Sequence, residues 1–141
     1  MDRVNINLPE EFEFCTELEV RMADVNAGGH LGNHCLIALL NEGHLKYMQF
    51  KGFPELLVDG RAMINADLAV VYKSEMFYGN VLAIEVAAAN FDKYGLDILY
   101  RVTNRSSGKV SAVAKMGMLF FDYAERKIAE VPQRFRQACG L

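Results

Sequence analysis

The 141-residue chain contains no tryptophan, only three prolines and only three cysteines. The cysteines, Cys15, Cys35 and Cys139, are odd in number and widely spaced, so they match neither a disulfide framework nor a metal motif. No apolar run approaches the ~18–20 residues that a membrane-spanning helix requires. The first residues also lack the apolar core of a signal peptide. We therefore expect a cytoplasmic protein with reduced thiols and no membrane partner.

Positive charge is scarce as well. The chain carries 15 lysines and arginines against 18 acidic residues, for a net charge of −3, and its basic residues are scattered. Proteins whose main partner is nucleic acid concentrate positive charge on one surface, so we expect no nucleic-acid partner. Apolar residues make up 52% of the chain, which indicates a folded core. The length suits one domain over residues 1–141.

Two periodicities organise the chain. Residues 12–22 alternate between apolar and polar side chains, which predicts a strand with one buried face. Residues 34–50 are rich in leucine and free of proline, which predicts one long helix. The remaining alternating segments are residues 62–73, 81–91, 95–103 and 109–122, and a short helix is predicted after Pro132.

This order of elements predicts an α+β fold. A strand and a long helix are followed by four strands that are joined by turns of hairpin length, and sequential hairpins form an antiparallel sheet. We therefore expect a five-stranded antiparallel sheet with the long helix lying across it. An uncovered sheet edge promotes aggregation, so we also expect the chain to dimerise through an edge strand.

The segment between the first strand and the long helix carries an unusual density of polar groups. Residues 24–34 read Asp-Val-Asn-Ala-Gly-Gly-His-Leu-Gly-Asn-His. Glycines such as Gly29 let the backbone approach a ligand closely, and Asn33 is a suitable N-cap for the helix. The free N–H groups of a helix N-terminus, near Asn33 and His34, can stabilise a polarised carbonyl or an oxyanion. The sequence therefore predicts a ligand site at this junction.

The same segment resembles a family motif. Asp24-Val-Asn26-Ala-Gly-Gly29-His30-Leu-Gly-Asn33 is similar to the Asp-x-Asp-x-x-Gly-His-Val-Asn-Asn pattern of hotdog-fold acyl-CoA thioesterases of the 4-hydroxybenzoyl-CoA thioesterase-like group. Tyr72 to Leu82 and Gly108 to Lys115 resemble further segments of that family. The resemblance implies a long central helix wrapped by the sheet, in a homodimer or a dimer of dimers. It also implies an acyl-CoA or acyl-carrier-protein thioester as substrate.

Two family carboxylates are replaced by amides in this chain. The resemblance implies a nucleophile or general base at position 26, where the chain has Asn26, and a second acid on the helix, where it has Asn41. An amide can neither accept the proton nor attack the thioester as a carboxylate can. The remaining acids are Asp24, either a base or a loop cap, and Glu42, either a base or an ion-pair partner.

The other candidates also keep two interpretations. His30 is either a general base or hydrogen-bond donor, or a brace for the loop. Asn26 either contacts the ligand or forms an Asx turn. We count Asp24, Asn26, His30 and Glu42 as catalytic candidates and Gly29, Asn33, His34 and Asn41 as substrate-binding candidates. The histidines form no set with metal-ligand spacing, so we expect neither metal nor cofactor.

This pattern and the family resemblance leave three functions open. The first is hydrolysis of an acyl-CoA thioester to the free acid and CoA, with the carbonyl held at the helix N-terminus. The second is hydration of an enoyl thioester, because hydratases of similar fold carry an aspartate, an asparagine and a histidine in a short loop. The third is a non-catalytic dimer that binds acyl-CoA, which Asn26 favours.

Overall fold

The alternating segments form one antiparallel sheet in the computed structural model, which describes residues 1–141. The elements in chain order are β1 (Phe14–Glu19), α1 (Asn33–Phe50), β2 (Leu57–Val58), β3 (Arg61–Tyr72), β4 (Val81–Ala89), β5 (Gly95–Asn104), β6 (Lys109–Asp122), β7 (Lys127–Ala129) and α2 (Gln133–Ala138). A 3-10 turn at Met22–Asp24 follows β1. The five predicted strands are all present, and the sheet gains two short ones, β2 and β7.

The strand order is β1-β4-β5-β6-β3-β2, and β7 pairs with β6. The hairpin predicted between β3 and β4 is wrong. β3 pairs with β6 over residues 61–72, whereas β4 pairs with β1 and β5. The segment from Lys73 to Asn80 therefore crosses from one side of the sheet to the other. This crossing carries its side chains past the N-terminus of α1.

The alternation of β1 is confirmed by its burial. Phe14, Thr16 and Leu18 are half-buried, whereas Cys15 and Glu17 are exposed. Met22, predicted to continue the inward face, is 66% exposed. The strand ends at Glu19, and the 3-10 turn that follows rotates Met22 out to solvent.

Helix α1 lies on the sheet through one apolar face. Its buried residues are Leu36, Leu39, Leu40, Gly43, Tyr47 and Met48. Gly43 lets the helix approach β4 closely, because a Cβ there would lie 3.1 Å from Cγ2 of Ile84. Neither helix is long and apolar enough to span a membrane.

Candidate functional site

The loop before α1 is folded around Asn26. Its Oδ1 accepts hydrogen bonds from the N–H groups of Gly28 (3.0 Å) and His30 (3.3 Å). The Asn26 N–H donates to the carbonyl of His30 at 2.8 Å. Gly29 has a φ of +83°, a conformation that favours glycine. The side-chain oxygen of Asn26 therefore shapes the loop. The side-chain nitrogen Nδ2 bonds no group in the chain and is free to contact a ligand.

Asp24 is buried and faces Arg21. Its carboxylate accepts hydrogen bonds from the backbone N–H of Arg21 (2.9 Å) and from the guanidinium Nε (3.1 Å) and Nη2 (3.0 Å). These bonds from Arg21 lower the pKa of Asp24 below its ordinary value. The Asp24 carbonyl also accepts the Gly32 N–H at 2.9 Å. The residue thus ties the 3-10 turn to the start of α1.

Helix α1 starts one residue earlier than predicted. Gly32 is the N-cap and Asn33 is the first helical residue, so the predicted N-cap at Asn33 is wrong by one position. The Gly32 carbonyl accepts the N–H groups of Cys35 (3.0 Å) and Leu36 (3.1 Å), whereas the Asn33 Oδ1 accepts only the N–H of its neighbour His34 at 2.9 Å. The Asn33 N–H has no acceptor in the chain. One free donor therefore lies at the positive end of an 18-residue helix.

His30 contacts the crossing segment between β3 and β4. Its Nδ1 lies 3.2 Å from Oε1 of Glu75, and its ring centroid lies 5.3 Å from that of Phe77. The backbones bond as well, since the Leu31 N–H donates to the Met76 carbonyl at 2.7 Å. Glu75 therefore fixes one nitrogen of the imidazole and leaves Nε2 to face away from it.

Two cavities meet at His30. A cavity of about 310 Å³, the His30 cavity, is bounded by His30, Leu36, Tyr72 and Glu75 among others. A wider, shallow cavity of about 730 Å³ lies over the loop and is lined by Asn26, Gly28, His30 and Asn33 among others. A Cβ on Gly28 would lie 3.3 Å from Cδ2 and 3.6 Å from Nε2 of His30. The glycine therefore keeps the Nε2 side of the ring open towards the loop cavity.

Other predicted site residues lie apart from these cavities. His34 is exposed, with its Nε2 3.5 Å from Sγ of Cys35. Asn41 and Glu42 are exposed two turns further along α1, about 12 Å from its start at 1.5 Å per residue. Within one chain the loop residues and the helix residues are therefore not brought together. No three or more histidine, cysteine or acidic side chains cluster as metal ligands would.

Glu75 was absent from the sequence-based candidates. It lies in a segment that was interpreted as a hairpin turn, where an acidic side chain is unremarkable. Its sequence neighbours carry no periodic signal, and only the crossing of the chain over the sheet brings it to His30.

Comparisons with known proteins agree with this architecture. The family model described as the thioesterase-like superfamily matches residues 20–139. No curated protein matches the chain in sequence. Solved structures do match, at low sequence identity.

Three of these structures illustrate the likeness. A 1,4-dihydroxy-2-naphthoyl-CoA thioesterase from Synechocystis is 17% identical, with a TM-score of 0.80 over 90% of this chain and 95% of that one. A gentisyl-coenzyme A thioesterase is 15% identical, with a TM-score of 0.78 over 91% of this chain and 100% of that one. A hypothetical protein from Thermus thermophilus is 18% identical, with a TM-score of 0.82 over 91% and 98% of the two chains. At these identities the likeness establishes the fold, which is the hotdog fold.

Proposed function

The chain belongs to the thioesterase-like superfamily, and we propose that it hydrolyses an acyl-CoA thioester to the free acid and CoA. The observation that carries the proposal is that His30, held by Glu75 at 3.2 Å, lines the same cavity over the loop as Asn33, whose backbone N–H has no acceptor in the chain. A base and an oxyanion donor are the two groups that hydrolysis of a thioester requires.

In the proposed mechanism the thioester carbonyl accepts a hydrogen bond from the Asn33 N–H. This donor has no competing acceptor in the chain, and it lies where the dipole of α1 favours negative charge. It therefore stabilises the oxyanion that forms when water attacks the carbonyl carbon. Asn26 lines the same cavity, and its side-chain nitrogen, which bonds no group in the chain, assists in holding the substrate.

His30 acts as the general base. Glu75 accepts a hydrogen bond from Nδ1, which leaves Nε2 as the acceptor that takes a proton from the attacking water. The tetrahedral intermediate then breaks its C–S bond, and the imidazolium returns the proton to the departing CoA thiolate. This scheme needs no carboxylate at position 26.

Asp24 has a positioning role in this proposal. Its carboxylate already accepts three hydrogen bonds from Arg21, and the lowered pKa makes it a weak base. Asn41 and Glu42 would reach a thioester only from a second copy of the chain, because they lie two turns from the start of their own helix. His34 and Gly29 would border the bound CoA at the exposed side of the loop.

The decisive experiment follows CoA thiol release from a panel of acyl-CoA substrates. We expect His30→Ala to lower kcat by roughly 10²- to 10⁴-fold, the usual contribution of a general base. Glu75→Gln keeps the size of the side chain but weakens its hold on the ring, so kcat should fall by up to about a hundredfold with KM unchanged. Glu11→Gln, an exposed acid that pairs with no group in the chain, is the matched control and should retain full activity.

Other outcomes would contradict hydrolysis. Loss of enoyl absorbance without thiol release would identify a hydratase. Tight acyl-CoA binding without either signal would identify a binding protein. Full thiol release by His30→Ala would leave hydrolysis intact but remove His30 from the mechanism.

A further inference from the structure

A second cavity lies between α1 and β3, away from the loop. It has a volume of about 360 Å³, which is within the range of small-molecule pockets. Its lining is mostly apolar and includes Met48 and Met63. Its polar members are Asn41, His44 and Asn65, and no charged side chain lines it. We refer to it as the His44 cavity.

One polar group of this cavity is buried without a partner. The Nε2 atom of His44 has no hydrogen bond, whereas Asn41 and Asn65, which also line the cavity, are exposed to solvent. An unpaired buried polar atom costs stability, so a ligand that satisfies it binds favourably. Burial lowers the pKa of His44 to about 4, so the imidazole is neutral at pH 7. The group that matches this cavity is therefore neutral and not a carboxylate or phosphate.

One face of α1 joins the two sites. Asn33, Ile37, Asn41 and His44 follow one another at the spacing of three or four residues that places side chains on a common helix face. At 1.5 Å per residue, Asn41 and His44 lie about 12 and 16 Å from Asn33 along the helix. Strand β3 runs alongside in the opposite direction, since the Tyr72 hydroxyl donates to the Asn33 carbonyl at 3.1 Å. Met63, near the other end of β3, lines the His44 cavity.

We propose that the His44 cavity binds a hydroxyl group on the acyl chain of the substrate, about ten to fourteen bonds from the thioester carbonyl, given about 1.2 Å per bond of extended chain. The inference rests on the proposed function, because it takes the carbonyl to be held at Asn33. A hydroxyl both donates and accepts, which suits a neutral imidazole flanked by two amides. The apolar chain between the two ends would lie along Ile37 and the methionines. The substrate class is thus a medium-length hydroxyacyl thioester.

Binding can be tested without catalysis. The chain has three histidines, so ring-labelled protein gives few imidazole signals, and His44→Leu assigns one of them. We expect 12-hydroxydodecanoate to shift the His44 signals and to bind roughly three- to tenfold more tightly than dodecanoate, the factor expected of one neutral hydrogen bond. Unshifted His44 signals at saturation with the hydroxy acid would overturn the inference.

Kinetics provide the second arm. The wild-type chain should hydrolyse 12-hydroxydodecanoyl-CoA with a kcat/KM roughly three- to tenfold above that of dodecanoyl-CoA. His44→Leu should bring this ratio to about one and remain folded, because it removes a buried unpaired nitrogen. Gln49→Leu, which alters an exposed polar residue of the same helix outside the cavity, should keep the wild-type ratio.

The two arms separate this inference from the proposed function. Equal hydrolysis of both substrates, or a preference for 4-hydroxybenzoyl-CoA over either chain, would overturn the inference and leave hydrolysis intact. Binding of the hydroxy acid at His44 without hydrolysis of any thioester would support the cavity assignment and overturn the proposed function.

Discussion

At the scale of single residues, the start of α1 depends on one inward-facing carboxylate. Asp24 accepts hydrogen bonds from the backbone and the guanidinium of Arg21, and its own carbonyl holds Gly32, the N-cap of the helix. These contacts position the Asn33 N–H that the proposed mechanism uses. The loop conformation is thus coupled to the ionisation of Asp24.

We expect Asp24→Asn to destabilise the fold by about 1–2 kcal/mol at pH 7, because a hydrogen bond to a charged group is replaced by a neutral one. Arg21 lowers the pKa of Asp24, so the stabilisation is complete above the ordinary carboxyl pKa and is lost as the pH falls through the lowered value. The difference in the free energy of unfolding between the wild type and Asp24→Asn should therefore become smaller in acid. Urea unfolding at pH 7 and pH 2 measures it.

Asp2→Asn provides the control for this measurement, since Asp2 is exposed and bonds no group in the chain. It should unfold like the wild type at both pH values. If Asp24→Asn lowers the free energy of unfolding as much at pH 2 as at pH 7, the charge of Asp24 does not stabilise the loop.

Single residues also show which roles could not be predicted from the sequence. The motif from Asp24 to Asn33 identified the loop, but side-chain type alone does not separate a base from an anchor. Both roles need a hydrogen-bond acceptor. Only the contact with Arg21 favours the anchoring role for Asp24. For Asn26 the Asx turn is confirmed, because its side-chain oxygen accepts the Gly28 N–H, whereas contact with a ligand stays a prediction. Glu75 depends on a long-range contact that no local pattern encodes.

At the scale of elements, long regular segments were predictable and short ones were not. β4, β5 and β6 span 9 to 14 residues, so their alternation is strong and their bounds agree closely with the prediction. β2 and β7 have two and three residues, which is too short for a periodic signal. Pairing of β3 with β6 depends on tertiary packing, and the turn-like segment before β4 did not reveal it.

The packing of α1 on β4 gives a prediction at this scale. Gly43→Val should lower the free energy of unfolding by about 1–3 kcal/mol, because even a Cβ at this position lies 3.1 Å from Ile84. Valine has a higher helix propensity than glycine, so any loss must come from packing. Ala38→Val, at an exposed position of the same helix, is the control and should cost only about 0.5 kcal/mol. If denaturant unfolding shows that both variants lose the same free energy of unfolding, the helix and the strand are not in close contact.

At the scale of the whole molecule, one edge of the sheet is open. β2 covers only the first two residues of β3, from Arg61 to Ala62, and β3 then continues as an edge to Tyr72. An exposed edge of this length is a template for pairing with another strand. Leu68 is 43% exposed on this edge, which places an apolar side chain where a second copy would add its own strand.

A homodimer formed through β3 would also bring new groups near each helix N-terminus. Asn41 and Glu42 lie too far along α1 to serve the loop of their own chain. Antiparallel pairing of two β3 strands would run the two helices in opposite directions, so we expect the middle of one helix to lie nearer the start of its partner. The oligomeric state is therefore expected to matter for activity as well as for stability.

We expect the wild-type chain to sediment as a dimer or a dimer of dimers, and Leu68→Lys to shift it towards monomer by placing two like charges at the paired edges. Ile128→Lys, at an exposed apolar residue of β7 on the opposite side of β6, should leave the assembly unchanged. Analytical ultracentrifugation with circular dichroism separates dissociation from unfolding. Thiol release should fall in parallel with the dimer fraction if the partner contributes to the site. A folded wild-type monomer that turns over acyl-CoA at full rate would contradict both the β3 interface and any role for a second copy.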